Sequence, residues 1–108
     1  ITHNPKGEYQ KHLRHQQTAH AVANLVKAKT INCRTLLNFA YKDCVPVKDA
    51  DLIINLPKNI WKRKKEIITK NYGFSQTSFE YRAASKTETF IICQSNENTN
   101  NLRCCFDF

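Results

Sequence analysis

SFEYRAASKTETFIICQ, residues 78–94, decides how this chain folds. Read with a period of two, SFEYRAA sets Phe79, Tyr81 and Ala83 on one face. TETFIICQ then sets Phe90 and Ile92 together, with Ile91 and Cys93 opposite. Ala84-Ser85-Lys86 supplies the turn between them. RCCFDF, residues 103–108, alternates Cys104, Phe106 and Phe108 against Cys105 and Asp107. Three such strands predict an antiparallel sheet in the C-terminal part.

Upstream, helical spacing takes over. Residues 7–29 read as helix, in one or two pieces. Tyr9 and Leu13 share a face, as do Val22, Leu25 and Val26, while RHQQT between them offers no core residue and suits a break near Gln16–Thr18. CRTLLNFAYK, residues 33–42, reads as a short helix with Leu36, Leu37 and Ala40 inward. CVPVKDADLIINLP reads as a strand bracketed by Pro46 and Pro57. The clearest helix runs from about residue 58, where Ile60, Trp61, Ile67 and Ile68 form one apolar stripe opposite Lys62, Arg63 and Lys65, and Gly73 suits its end. The expected fold is therefore α+β, with N-terminal helices followed by an antiparallel sheet, in a single domain over 1–108.

Charge narrows the function. The net charge is +8. Residues 1–31 carry +4, residues 32–57 balance, residues 58–70 carry +5 and residues 71–108 carry −1. Two basic segments flanking a neutral one favour a polyanionic partner: RNA, DNA, heparin-like sugars or anionic lipid. The alternative is a basic, soluble protein without such a partner. No apolar run is long enough to span a bilayer. The chain opens ITHNPKGEYQ, without an apolar signal region, as expected of a cytosolic protein or one whose signal has been removed.

Five cysteines stand at 33, 44, 93, 104 and 105, with no Cys-x-x-Cys and no histidine near them, which argues against a zinc finger. Their number in a short chain favours a secreted, disulfide-tied domain over a cytosolic one with five buried thiols. Cys104 and Cys105 point to opposite faces of a strand and so belong to different surroundings.

All four histidines, His3, His12, His15 and His20, lie in the first twenty residues. His12 and His15 are neighbours on a helix. Imidazoles suit proton transfer from a ribose 2′-hydroxyl during phosphoryl transfer, with a cation such as Lys11, Arg14, Lys42 or Lys48 to stabilise charge on phosphate. The bland reading is a solvated basic helix. KNIWKRKKEIITK places Lys62, Arg63, Lys64 and Lys65 around Trp61, either as a phosphate-contacting face or as the wet side of an amphipathic helix. Membrane-surface binding through the same segment is a further reading.

EYRAASKTETFIICQSN, followed after a gap by CCFDF, resembles the last part of the pancreatic ribonuclease (RNase A) superfamily. Tyr81-Arg82 then matches the family's lysine-bearing Tyr strand, Phe90-Ile91-Ile92-Cys93 the next, and Phe106-Asp107 the closing pair. Cys44-Val45-Pro46-Val47 resembles the segment carrying the catalytic lysine, and EYQKH the helix carrying the first catalytic histidine. The chain departs from that pattern at Cys105, which replaces the closing histidine, and at Val45, which replaces the lysine. The third-helix half-cystine that would pair with Cys93 is missing near Ile60–Trp61.

The resemblance implies an RNase A-like fold and an RNA-binding, ribonuclease-like protein, a divergent member of weak or no nuclease activity because Cys105 replaces the closing histidine, keeping a basic RNA-binding cleft. Activity, if retained, is that of a metal-independent endonuclease using His12, His15 and Lys48, with Lys11, Arg14, Lys62, Arg63, Lys64 and Lys65 contacting nucleic acid. A toxin nuclease domain opposed by an inhibitor or immunity protein is a related expectation. The competing one is a non-catalytic, basic, secreted protein binding polyanions in host defence or signalling. No cofactor and no metal are expected. Secretion is the favoured setting, delivery to or residence in the cytoplasm the alternative.

Overall fold

β5, Thr87–Ser95, is the strand around which the rest is arranged. This computed structural model describes residues 1–8 and 12–95, and the backbone of 102–103. In chain order the other elements are α1 (Leu13–Lys27), β1 (Thr35–Phe39), β2 (Tyr41–Lys42), β3 (Val45–Pro46), β4 (Leu52–Asn55), α2 (Lys58–Glu66), a π-helical turn (Ile67–Asn71), α3 (Phe79–Arg82) and β6 (Leu102–Arg103). β1 pairs with one edge of β5, antiparallel from Thr35↔Gln94 to Phe39↔Phe90. β4 takes part of the other edge, from Leu52↔Phe90 to Asn55↔Thr87, and β6 meets Gln94 and Ser95. β2 and β3 form a separate small hairpin. An N-terminal helix followed by a small antiparallel sheet is thus the α+β architecture expected.

The alternation read for TETFIICQ is the one the strand uses. Cys93, opposite Leu36, is almost fully buried, and Asn38 on the same face donates from Nδ2 to Cys93 Sγ at 3.0 Å. Phe39 and Phe90 meet on the other face, with ring centroids 5.3 Å apart. Thr89 is 1 % exposed, and its hydroxyl donates to Ala40 O, so this polar group is satisfied inside the core.

Four sequence expectations are corrected. CRTLLNFAYK is strand, not helix: Leu36, Asn38 and Ala40 are buried in alternation, which only a period of two produces. FEYR is helix, not strand. Ser78 caps it by accepting from Tyr81 N at 3.2 Å, and four residues are too few for period to discriminate. Tyr81-Arg82, matched by the resemblance to a strand, is therefore helical.

α1 is continuous and begins at Leu13. Gln16 does not break it, because its Nε2 donates to Pro5 O at 3.1 Å and ties the helix to the amino arm. Its buried stripe is Ala19, Ala23 and Val26, while Leu25 and Leu13 are exposed; small residues let the helix approach closely. CVPVKDADLIINLP is split into β3 and β4 by residues 47–51. RCCFDF is outside the described residues apart from the backbone of Arg103, and so are Cys104 and Cys105, on which the expected cysteine pairing rests.

α2 forms where expected, but none of its residues is fully buried. Trp61 is half-buried, and its Nε1 donates to Ala84 O at 2.8 Å. The π turn that continues the helix has a local cause. Thr69 Oγ1 donates to Lys65 O at 3.1 Å and Glu66 O at 3.2 Å, competing for carbonyls that the next amides would use. Tyr72 N consequently reaches back to Ile67 O. Gly73, at φ +74, then ends the segment as the sequence predicts.

Candidate functional site

The amino arm is built by its turn residues. In HNPKGE, Asn4 starts a turn, Pro5 fixes φ and Gly7 takes φ +93. Asn4 Oδ1 accepts from Lys6 N at 2.8 Å, and Asn4 O accepts from Gly7 N at 3.0 Å. Thr2 is bridged in parallel to Asn38 on β1, donating from its N to Leu37 O at 2.8 Å. Asn4 Nδ2 donates to Phe39 O at 2.8 Å. The arm is therefore held on the outer edge of β1, and it delivers Glu8 into the interior.

Glu8 organises what surrounds it. Its side chain is 2 % exposed, and one oxygen accepts from Asn4 N at 2.9 Å. The same oxygen lies 2.8 Å from His3 Nδ1, and the other lies 3.4 Å from His15 Nδ1. Both imidazoles are one-third exposed. Their rings stack almost parallel, with centroids 3.9 Å apart and planes 10° from each other. His12 stacks on His15 at 4.5 Å, and Phe39 lies 6.4 Å from His3. Two faces of the fold thus meet here: the first turn of α1 and the aromatic face of β1.

A carboxylate at Nδ1 fixes the tautomer of a neutral imidazole. The proton sits on Nδ1, and the lone pair is on Nε2, the nitrogen turned away from the carboxylate. Burial lowers the pKa of His15 from its ordinary value of 6.5, His3 and His12 lower it further, and Glu8 opposes part of the change. His15 is accordingly a neutral base at pH 7. Both rings turn Nδ1 to the same carboxylate, which leaves each Nε2 to meet a ligand.

His3, Glu8 and His15 present one ligand atom each within 4.8 Å of one another, close enough to consider a metal ion. The rings argue against one in this arrangement. Imidazole lone pairs lie in the ring plane, and the two rings are stacked, with planes 10° from each other and centroids 3.9 Å apart. An ion between them would sit outside both planes.

Of the residues expected at a site, His12 and His15 are brought together. His3 and Glu8 join them and were missed; the signal for them was the Asn-Pro-Lys-Gly turn, which folds the arm back on the helix. Lys48 and Arg14 are exposed, and among the described residues no contact links either to the imidazoles. Lys11 lies outside the described residues.

The lysine-dense helix divides by role. Lys64 is half-buried and bonded to Glu88, whose other oxygen accepts from Tyr41, and Lys64 also donates to Ser85 O at 3.3 Å. It joins α2 to β5 rather than facing a ligand. Arg63 pairs with Glu66 at 3.5 Å. Lys65 Nζ lies 3.6 Å from the Trp61 ring centroid and 5.0 Å from that of Tyr81. Lys62 and Lys65 line a groove of 370 Å³ on this side, and the lining includes none of the histidines.

Lys64→Ala should therefore cost about 1–3 kcal/mol of stability, the price of leaving Glu88 without its ammonium partner. Urea unfolding measures that loss, and filter binding to RNA should show unchanged affinity.

Compared with protein-family models, with curated proteins and with solved structures, the chain matches none.

Proposed function

We propose that this is an RNA-binding, ribonuclease-like domain that cleaves RNA by metal-independent acid–base transfer at the imidazole cluster. The observation that carries the reading is the pair of parallel imidazoles sharing one buried carboxylate. His15 Nε2 takes the proton of a ribose 2′-hydroxyl, and the 2′-oxygen attacks the adjacent phosphorus. The bond from phosphorus to the 5′-oxygen breaks, and the leaving oxygen takes a proton from the His3 ring. The products are a 2′,3′-cyclic phosphate and a free 5′-hydroxyl. The attacking and leaving oxygens of an in-line displacement lie about two P–O bonds apart, comparable with the ring spacing of 3.9 Å. His12, stacked on His15, supplies a further donor for the phosphate.

The test is cleavage of single-stranded RNA in EDTA, with the 3′ ends identified by mass spectrometry. Cyclic phosphate ends, formed undiminished in EDTA, are expected. Chelator-abolished cleavage, or no cleavage at all, would overturn the reading. In the second case the binding reading takes over: a non-catalytic, polyanion-binding domain, which the lysine-lined groove on α2 favours. Its affinity should fall steeply with salt.

A further inference from the structure

The groove on α2 combines charge with aromatic surface. Lys58, Lys62, Lys65 and Lys70 surround Trp61 and Tyr81, and one carboxylate, Glu66, stands among them. Glu66 is already paired with Arg63, so the hollow carries excess positive charge. Lys58, Lys62 and Lys65 recur on one helical face, the π turn brings Thr69 and Lys70 to its rim, and α3 contributes Tyr81. The indole is fixed in orientation by its bond to Ala84 O. The Lys65 ammonium is placed between the two rings. A volume of 370 Å³ falls within the range of about 300–1,000 Å³ usual for small-molecule sites.

We infer that this groove is a nucleotide subsite for single-stranded nucleic acid, with an unpaired base stacked on Trp61 and Tyr81 and its phosphate held by Lys62, Lys65 and Lys70. The inference rests on the RNA-binding half of the proposed function and is independent of the histidine chemistry. A base paired in a duplex has its faces covered, so only an unpaired one reaches the rings. Stacking of a base is worth more than an exposed cation–π contact, so the incoming base displaces the Lys65 ammonium from the indole. That ammonium then moves to the phosphate, next to Lys62 and Lys70. Sugar polyanions and free phosphate satisfy the lysines but offer no aromatic face.

Trp61 is the only tryptophan in the chain, so its emission reports this groove alone. The experiment titrates the intact protein with a fully 2′-O-methylated RNA single strand, which has no free 2′-hydroxyl and is not cleaved through one. Saturable quenching is expected, with affinity about tenfold or more above that of the corresponding duplex. Tyr81→Ala should weaken binding roughly tenfold and Tyr81→Phe should not, which separates loss of the ring from loss of the fold. Lys62→Ala together with Lys70→Ala should weaken it and flatten its salt dependence. The inference is overturned if duplex, heparin or inorganic phosphate quenches Trp61 as the single strand does. It is equally overturned if the single strand binds without changing the emission, or if Tyr81→Ala binds like the wild type. Because the ligand resists cleavage, failure of the nuclease reading leaves these outcomes unchanged.

Discussion

Replacing His15 with alanine should lower RNA cleavage by about 10²–10⁴-fold, the usual worth of a positioned general base. The expected loss is in kcat rather than in RNA affinity, since His15 is not among the residues lining the lysine groove. Stopped assays across a range of RNA concentrations separate the two. The wild-type pH profile carries a second expectation. A base must be neutral to act, and burial with two neighbouring imidazoles lowers the His15 pKa below 6.5. The acid limb of the cleavage profile should therefore lie below pH 6.5. Stability follows the same sign. The unfolded chain binds the His15 proton more readily than the folded one, so this residue's contribution is lost as pH drops below 6.5.

The second large effect belongs to Glu8. Glu8→Gln keeps the shape but presents an amide N–H₂ where one imidazole donates, so one of the two rings loses its tautomeric control. Loss of the carboxylate that fixes a catalytic imidazole is worth up to about 10⁴-fold in the serine proteases, and a loss of at least about 10²-fold is expected here. The buried amide is imperfectly paired, which should destabilise the fold by about 1–3 kcal/mol. Glu8 never touches substrate in this scheme; it positions. The readout that distinguishes positioning from general damage is the pH profile. Glu8 raises the His15 pKa, so its removal should move the acid limb of the remaining activity to still lower pH, beyond the wild-type position. A profile unchanged in shape and merely scaled down would indicate damage instead.

Part of this arrangement was legible in the sequence, for physical reasons that can be named. TETFIICQ alternates because β5 has two faces, one against Leu36 and Asn38 and one against Phe39. Gly73 marks the end of the segment that begins with α2 because the chain there needs a positive φ. His12 and His15 meet because His12 sits at the N-cap of α1, three residues ahead of His15. TLLNF was misread because Leu36, Leu37 and Ala40 also fit a helical face, and the buried Asn38 that breaks that pattern finds its partner 55 residues away. FEYR was misread because aromatics at 79 and 81 mimic alternation, although Ser78 before Glu80 carried a helix-start signal.

The groove on α2 is lined by α2, the π turn, Gln76 and Tyr81, while His3, Glu8, His12 and His15 gather beside Phe39. Distant pairings such as Lys64 with Glu88 are fixed by the path of the backbone and have no local signature.

The shared carboxylate is tested most directly by ¹⁵N–¹H correlation spectra of the imidazole rings in uniformly labelled protein at pH 7. The expected spectrum shows His15 neutral with its proton on Nδ1, and Glu8→Gln changing that assignment. A His15 ring protonated at pH 7, or neutral with its proton on Nε2, would contradict the account.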